Sequence, residues 1–200
     1  RKLKALVVTI LAVSMLISVT ACSSGENESS SNSGGDASSS TGKVTIGVSM
    51  PTKDLQRWQQ DGASLKTDLE EKGYDVDLQY AGNDVAQQVS QIENMISNGG
   101  KGLIVCAIDG ESLGTPLAAA KEAGIPVVSY ERLIMNTDAV SYYVTFDNYL
   151  IGKSQADYIV KTLDLDNSSS TFNIELVAGD PGDNNAKYYF DGSMDVLQPY

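Results

Sequence analysis

The 200-residue chain holds 26 acidic and 14 basic residues, carries a formal net charge of −12 and contains no histidine. This acidity argues against nucleic-acid binding and against attachment to anionic lipids through a basic patch. The absence of histidine removes the most common general base and metal ligand, and we expect neither a metal nor a cofactor.

The first segment has the layout of a secretory signal peptide: a basic start, an apolar stretch from Ala5 to Val19, and small residues before Cys22. That stretch is short for a membrane-spanning helix, which needs about 20 apolar residues. Val19-Thr20-Ala21-Cys22 resembles the lipobox of bacterial lipoproteins, in which the cysteine is acylated. We predict a signal peptide over residues 1–21 and lipidation of Cys22, which would anchor the protein on the outer side of the bacterial cell membrane. An uncleaved anchor or a chance cysteine is the alternative.

The segment after the lipobox is a predicted tether. Residues 23–42 are almost all Ser, Gly, Asn, Asp and Glu, so they have little apolar surface to bury. We therefore interpret residues 22–42 as the acylated cysteine followed by a flexible linker.

From Lys43, strand and helix patterns alternate. Apolar and β-branched runs predict strands at Val44–Met50, Val76–Tyr80, Leu103–Ile108 and Pro126–Tyr130. Amphipathic segments between them predict helices over Leu55–Lys72, from Asn83 or Asp84 to about residue 98, and over Leu117–Ala123. Repeated βαβ units build a parallel sheet covered on both faces, so residues 43–131 form a predicted N-terminal α/β lobe. Cys106, inside the third strand, is expected to be a small buried side chain.

A second series of elements follows. Strands are predicted at Tyr142–Phe146 and Phe172–Ala178, with a helix from Asp147 or Asn148 to about Leu163 and another from about Asn184 to Leu197. We interpret residues 132–200 as the start of a C-terminal α/β lobe. This segment is too short to close a core alone, and we expect the rest of that lobe to lie outside this sequence.

Polar side chains follow the carboxyl ends of these strands, which is where open α/β sheets bind ligands. They are Lys53, Arg57, Trp58, Asp109, Glu131, Arg132, Asn148, Asn184 and Asn185. Arginine, carboxylate and amide groups bind adjacent hydroxyls in pairs, and an indole stacks on an apolar C–H face. The set predicts a neutral polyhydroxylated ligand such as a monosaccharide.

Several of these residues have a structural alternative. Trp58 could belong to the core, Asp109 could cap a helix, and Asn148 could be an N-cap only. Glu131 and Arg132 could form a local ion pair where the chain crosses between lobes. Asn184 and Asn185 could begin a helix as well as bind a ligand.

The sequences and order of several short motifs resemble those of the sugar-binding lipoproteins and periplasmic receptors of ABC importers. The matching phrases include Met50-Pro51-Thr52-Lys53, Arg57-Trp58, Ile108-Asp109-Gly110, Tyr130-Glu131-Arg132-Leu133-Ile134, Phe146-Asp147-Asn148 and Asp183-Asn184-Asn185-Ala186. Within this family the xylose and multiple-monosaccharide receptors are the most similar, and the resemblance covers residues 43–200.

The resemblance implies the two-lobed type I periplasmic-binding fold with parallel sheets. It also implies that Lys53, Arg57 and Asp109 hydrogen-bond sugar hydroxyls, that Trp58 covers a ring face, and that Asn148, Asn184 and Asn185 contribute from the second lobe. Glu131 stands where the family usually has Asp, so it either alters the sugar preference or serves the hinge.

The implied function is that of a lipid-anchored, monomeric receptor. It would capture a pentose or hexose between its lobes and deliver it to an ABC permease, without performing chemistry itself. One alternative is a sensor that presents a sugar, or a furanose-like signalling molecule, to a chemoreceptor or histidine kinase. A remote one is a surface glycosidase that uses Asp109 and Glu131. A repressor core of the same fold would need a DNA-binding segment where this chain has a signal peptide.

Overall fold

A computed structural model of the chain describes residues 42–200. The predicted signal peptide (1–21), Cys22 and the tether up to residue 41 lie outside the described residues. Within residues 42–200, no helix combines the length and the apolar character needed to cross a membrane. Because Cys22 lies outside the described residues, its lipidation stays a prediction from the sequence.

Five parallel strands form one sheet in the order β2-β1-β3-β4-β5. The strands are β1 (Thr45–Met50), β2 (Asp75–Tyr80), β3 (Gly102–Val105), β4 (Val127–Tyr130) and β5 (Val140–Val144). The first four lie where the sequence predicts strands, although β3 ends at Val105 and not at Ile108. Because parallel strands run in one direction, their carboxyl ends share one edge of the sheet.

The helices are α1 (Gln56–Glu71), α2 (Val85–Ser97), α3 (Gly114–Glu122), α4 (Asn148–Leu163) and α5 (Asn184–Leu197). Aspartates cap three of them, since each carboxylate accepts a hydrogen bond from a free backbone N–H of the first turn. Asp84 caps α2, Asp147 caps α4 and Asp183 caps α5.

The core lies on both faces of the sheet because side chains alternate along each strand. Leu103 and Val105 of β3 pack with Ile92 of α2 and Leu117 of α3 on one face. On the opposite face, an α1 cluster consists of the buried residues Val48, Met50, Trp58 and Cys106. Cys106 is fully buried, as predicted, and burial raises the pKa of its thiol far above the ordinary value.

The fifth strand extends this same sheet. We expected a strand at Tyr142–Phe146 to open the second lobe, but β5 spans Val140–Val144 and pairs in parallel with β4. The backbone N–H of Glu131 donates to the carbonyl of Val144 at 2.8 Å, which continues this pairing beyond β4. The division into lobes between residues 131 and 132 remains a prediction. The strand expected to open the second lobe, β5, belongs to the same sheet as β1 to β4.

The predicted strand at Phe172–Ala178 is not formed in the structure. A strand is stable only when a neighbour takes its backbone hydrogen bonds, and no strand within residues 42–200 pairs with this segment. Its apolar side chains are correspondingly exposed, and Val177 retains 91% of its accessible surface. The apolar pattern was recognised correctly, but pattern alone does not supply a pairing partner.

Helices α4 and α5 pack against each other through two glycines. A Cβ atom added at Gly152 of α4 would overlap the carbonyl oxygen of Tyr189 in α5. A Cβ added at Gly192 of α5 would overlap the carbonyl oxygen of Tyr149 in α4. The absence of side chains at both positions lets the two backbones touch.

Candidate functional site

A cavity of about 400 Å³ lies beside the residues that follow the carboxyl ends of β1 and β4. Five of the nine predicted sugar-binding residues line it, namely Arg57, Trp58, Glu131, Arg132 and Asn185. The rest of the wall includes Asp183, Tyr189 and Phe190 from the N-cap and middle of α5, Gln155 of α4, and residues 176–179 before α5. The structure therefore brings these five residues together around one cavity, and their contact with a sugar stays a prediction.

Glu131 lines the cavity and is only 7% exposed. Its Oε1 lies 3.1 Å from Nη1 of Arg57 and accepts a hydrogen bond from Nδ2 of Asn185 at 3.3 Å. Its Oε2 has no hydrogen-bond partner among residues 42–200. Burial raises the pKa of the Glu131 carboxyl above its ordinary value, although Arg57 opposes this effect.

The backbone of Glu131 is held in an unusual conformation. Its φ of 65° lies in the left-handed region, which non-glycine residues rarely adopt. Besides the bond from its N–H to Val144, its carbonyl accepts a hydrogen bond from Oγ1 of Thr145 at 2.9 Å. Such a conformation persists when its surroundings fix it firmly, and it is often found at functional sites.

Arg132 ties three parts of the structure together. Its Nη1 donates to the carbonyl of Ala107 at 3.1 Å, beyond the end of β3. Its Nε lies 3.0 Å from Oδ2 of Asp183, the N-cap of α5, without a well-aligned hydrogen bond. The distance from Nε of Arg132 to Oε2 of Glu131 is longer, at 3.9 Å. The local ion pair considered from the sequence is thus secondary to the contact between Arg132 and Asp183.

Trp58 belongs to both the core and the cavity. It is 3% exposed and packs in the α1 cluster, yet it also lines the cavity. The guanidinium carbons of Arg57 and Arg132 lie 4.5 and 5.4 Å from the centre of its ring. Its Nε1 has no hydrogen-bond partner among the described residues. The role of covering a sugar ring stays a prediction, and little open ring surface is present for it.

Two of the three predicted asparagines, Asn148 and Asn185, join helices α4 and α5. Nδ2 of Asn148 donates to Oδ1 of Asn185 at 2.9 Å, and both residues are buried. Asn184 donates through Nδ2 to the carbonyl of Leu133 at 3.3 Å. Only Asn185 lines the cavity, so Asn148 and Asn184 hold the turn and the helix that shape it.

Lys53 and Asp109 lie outside the cavity wall. Nζ of Lys53 lies 5.0 Å from the ring centre of Tyr80, beside a separate hollow lined by Tyr80 and Gln91. Oδ1 of Asp109 accepts a hydrogen bond from the backbone N–H of Glu111 at 2.8 Å, which closes a local turn. Direct contact of these two residues with a sugar remains a prediction from the resemblance.

Gln88 was not predicted as a site residue, although it organises the strand ends beneath the site. Its fully buried amide donates to Oγ of Ser49 at 3.1 Å and to the carbonyl of Cys106 at 2.9 Å. It also accepts from the N–H of Ile108 at 2.9 Å. The signal available in the sequence was a polar residue on the apolar stripe of α2, four positions before Ile92.

The described residues include no group of three or more side chains arranged to hold a metal ion. The chemistry available around the cavity is hydrogen bonding: guanidinium and indole donors face carboxylate and amide acceptors.

Residues 46–200 match the family of periplasmic binding protein domains. The chain is 48% identical over 158 residues to the multiple sugar-binding periplasmic receptor ChvE of Rhizobium radiobacter, covering 79% of this chain and 45% of that protein. It is 37% identical over 158 residues to the D-xylose-binding periplasmic protein of Escherichia coli K12, covering 79% of this chain and 46% of that protein. This chain thus spans slightly less than half the length of these curated relatives.

Among solved structures, the chain is similar to an ABC transporter solute binding protein from Clostridium phytofermentans with bound β-D-glucose. The identity is 60% and the TM-score 0.76, over 78% of this chain and 48% of that chain. These matches and the parallel sheet confirm the predicted α/β architecture of the type I periplasmic-binding fold. The chain belongs to the periplasmic binding protein family.

Proposed function

We propose that the protein is a receptor that binds a monosaccharide, either a pentose or a hexose, and delivers it to an ABC permease. The observation that carries the proposal is a cavity of about 400 Å³ lined by Arg57, Trp58, Glu131 and Asn185. Its wall presents both donors and acceptors, which is the chemistry that a polyhydroxylated ligand requires. The sugar-binding relatives support this ligand class.

The cavity favours a neutral ligand, because the charges around it balance. Arg57 and Arg132 contribute two positive charges, and Glu131 and Asp183 contribute two negative charges. Each guanidinium already has a carboxylate neighbour, so a charged ligand would have to displace one of these pairs. A sugar hydroxyl can instead donate and accept hydrogen bonds without changing the charge of the site.

Delivery to a permease requires that the protein work outside the cytoplasm, and Cys22 supplies an anchor for this role. A diacylated cysteine gives lasting membrane attachment, and the Ser/Gly-rich tether gives the receptor reach. We infer that the anchored receptor acts as a monomer. Replacing Cys22 with Ser should move the protein from the detergent phase to the aqueous phase in a Triton X-114 partition. Equal partitioning of the two forms would contradict the anchor.

We also infer that the protein binds its sugar without hydrolysing it. Asp109, the partner that a glycosidase mechanism would need for Glu131, lies outside the cavity wall. The other nearby carboxylate, Asp183, is engaged by Arg132. Incubation of the full-length protein with aryl glycosides should release no phenol, and turnover would overturn this inference.

The central test is a thermal-shift screen of the full-length protein against pentoses, hexoses and sugar acids. A ligand that binds only the folded state raises the melting temperature in a concentration-dependent manner. We expect at least one neutral pentose or hexose to do so and sugar acids to have a smaller effect. Arg57→Met, which removes a cavity donor, should weaken the response, whereas Lys66→Met on the exposed side of α1 should not. No response to any monosaccharide would overturn the proposal.

A further inference from the structure

Arg57 lies between two carboxylates that come from different parts of the fold. Its Nε lies 3.6 Å from Oδ2 of Asp61, one turn further along α1. Its Nη1 lies 3.1 Å from Oε1 of Glu131, which follows β4. Arg57 and Glu131 line the cavity, whereas Asp61 does not. Asp61 is therefore a neighbour of a cavity residue and not part of the wall itself.

The fold fixes the place of Asp61. The next residue, Gly62, is buried, and a Cβ added there would overlap the hydroxyl of Tyr80, so α1 packs closely on β2 at this point. The same hydroxyl donates to the carbonyl of Trp58 at 3.4 Å. The pKa of Tyr130 is raised first by burial and next by the charge of Asp61, which lies near the Tyr130 hydroxyl. The Asp61 carboxylate thus projects from a well-anchored turn of α1.

As a surface ion pair, Asp61 and Arg57 contribute little to stability. Their side chains are 25% and 49% exposed, and pairs of this kind four residues apart on a helix are weak. Lys66 and Glu70 form a pair of the same spacing on α1, away from the cavity. What differs in the Asp61 pair is its arginine, which lines the cavity. We therefore expect the effect of Asp61 in ligand binding and not in stability.

The two carboxylates compete for one guanidinium. Arginine favours a forked pair, in which two of its N–H groups face the same carboxylate. In the structure this fork is divided, because Nε of Arg57 faces Asp61 while Nη1 faces Glu131. Without the Asp61 carboxylate, Nε would be free to join Nη1 on Glu131, and the guanidinium would turn away from its present position. Asp61 thus opposes the closure of Arg57 onto Glu131.

We propose that Asp61 is a positioning residue for ligand binding: by holding Nε of Arg57, it keeps other N–H groups of the guanidinium available to the hydroxyls of a sugar. A guanidinium has five N–H donors, so one shared between two carboxylates retains donors for a ligand. A side chain that is already held also loses less conformational freedom on binding than a mobile one. The inference rests on the proposed function, because it assumes that the cavity binds a sugar.

The test is a double-mutant cycle on the full-length protein. Titration calorimetry measures the affinity for the best neutral sugar of the thermal-shift screen. Asp61→Asn keeps the shape of the side chain and removes its charge, Arg57→Met removes the guanidinium, and the double variant lacks both groups. Asp68→Asn removes a negative charge from an exposed position two turns further along α1 and serves as the matched control.

Asp61→Asn should weaken sugar binding about three- to tenfold, which corresponds to the loss of about one hydrogen bond. In the Arg57→Met background the same substitution should change the affinity by less than about twofold, because the two side chains are coupled. Asp68→Asn should bind the sugar as tightly as wild-type protein, since a neutral ligand does not respond to a distant charge. The melting temperature of Asp61→Asn without sugar should lie within about 3 °C of the wild-type value, because the lost pair is partly exposed.

Four results would overturn the inference. They are unchanged or tighter sugar binding by Asp61→Asn, an equal loss of affinity with and without Arg57, an equal loss in Asp68→Asn, and a melting temperature of Asp61→Asn that is lower by more than about 3 °C. The last result would make Asp61 a structural residue. In all four cases wild-type protein still binds the sugar. Failure of the proposed function would instead appear as no binding of any monosaccharide by wild-type protein.

Discussion

Nε of Arg132 lies 3.0 Å from Oδ2 of Asp183, so the turn after β4 is joined to the residue that caps α5. The same guanidinium donates to the carbonyl of Ala107 beyond β3. Both side chains of the ion pair are largely buried, and a buried partner left alone costs far more than an exposed one. Arg132 therefore positions the cavity wall.

Replacing Arg132 with Met should destabilise the protein strongly. The substitution leaves Asp183 without its cation and the Ala107 carbonyl without its donor, and we expect the free energy of unfolding to fall by about 3 kcal/mol. Urea denaturation followed by circular dichroism measures this change. Lys66→Met, which breaks an exposed pair with Glu70 on α1, should have little effect. Similar losses in both variants would contradict the role assigned to Arg132.

Gln88 should contribute stability out of proportion to its position on a surface helix. In Gln88→Met, Oγ of Ser49, the Cys106 carbonyl and the Ile108 N–H lose a buried partner. We expect a loss of about 2–4 kcal/mol of unfolding free energy, because each unsatisfied buried group carries a desolvation cost. Hydrogen exchange at the Ile108 amide should also become faster. The neighbouring Gln87→Met, at an exposed position, is the control and should change neither quantity.

The glycine contact between α4 and α5 should not tolerate a methyl group. Gly152→Ala would force the helices apart, since the new Cβ would overlap the Tyr189 carbonyl, and overpacking of this kind costs at least about 2 kcal/mol. Gly114→Ala at the first position of α3 is a matched substitution, because its nearest neighbouring atom would lie 3.7 Å from the added Cβ. Thermal denaturation should show a lower melting temperature for the first variant only. An unchanged melting temperature for Gly152→Ala would mean that the helices are not packed this closely.

Glu131 should make stability depend on pH. Its pKa is raised above the ordinary value of 4.5 by burial first, with Asp183 acting in the same direction and Arg57 and Arg132 against it. The folded protein therefore holds this proton more tightly than the unfolded chain does. The corresponding contribution to stability is complete below about pH 4.5 and is lost as the pH rises through the folded pKa.

The check is the difference in unfolding free energy between wild-type protein and Glu131→Gln, measured by urea denaturation from about pH 4 to about pH 8. Other titrating groups largely cancel in this difference. We expect wild-type protein to become less stable relative to the variant as the pH increases through that window. A difference that stays constant, or that moves in favour of wild-type protein, would contradict the raised pKa.

The sequence was a good guide to elements whose signal is local. The apolar runs at Val44–Met50 and Val76–Tyr80 predicted β1 and β2, and the alternation of strands and helices predicted the parallel sheet. These predictions depend on side-chain periodicity and on the handedness of βαβ connections, which neighbouring residues determine.

Features that depend on distant pairing could not be predicted in this way. The sequence alone does not show that β5 pairs with β4, because the pattern of a strand does not determine which strand lies beside it. The segment Phe172–Ala178 has a strand pattern but no strand beside it among the described residues. Likewise, Trp58 follows Arg57 in the chain, but only the fold brings Arg132 over the same ring.

The fully buried thiol of Cys106 has a practical consequence. A maleimide dye reacts with an exposed thiolate, and this side chain offers neither exposure nor ionisation near neutral pH. A cysteine introduced in the cavity wall, for example at Phe190, which is exposed, would therefore be the one labelled within residues 42–200. A dye on the introduced cysteine would thus turn the protein into an optical biosensor, whose fluorescence changes when a ligand enters the cavity.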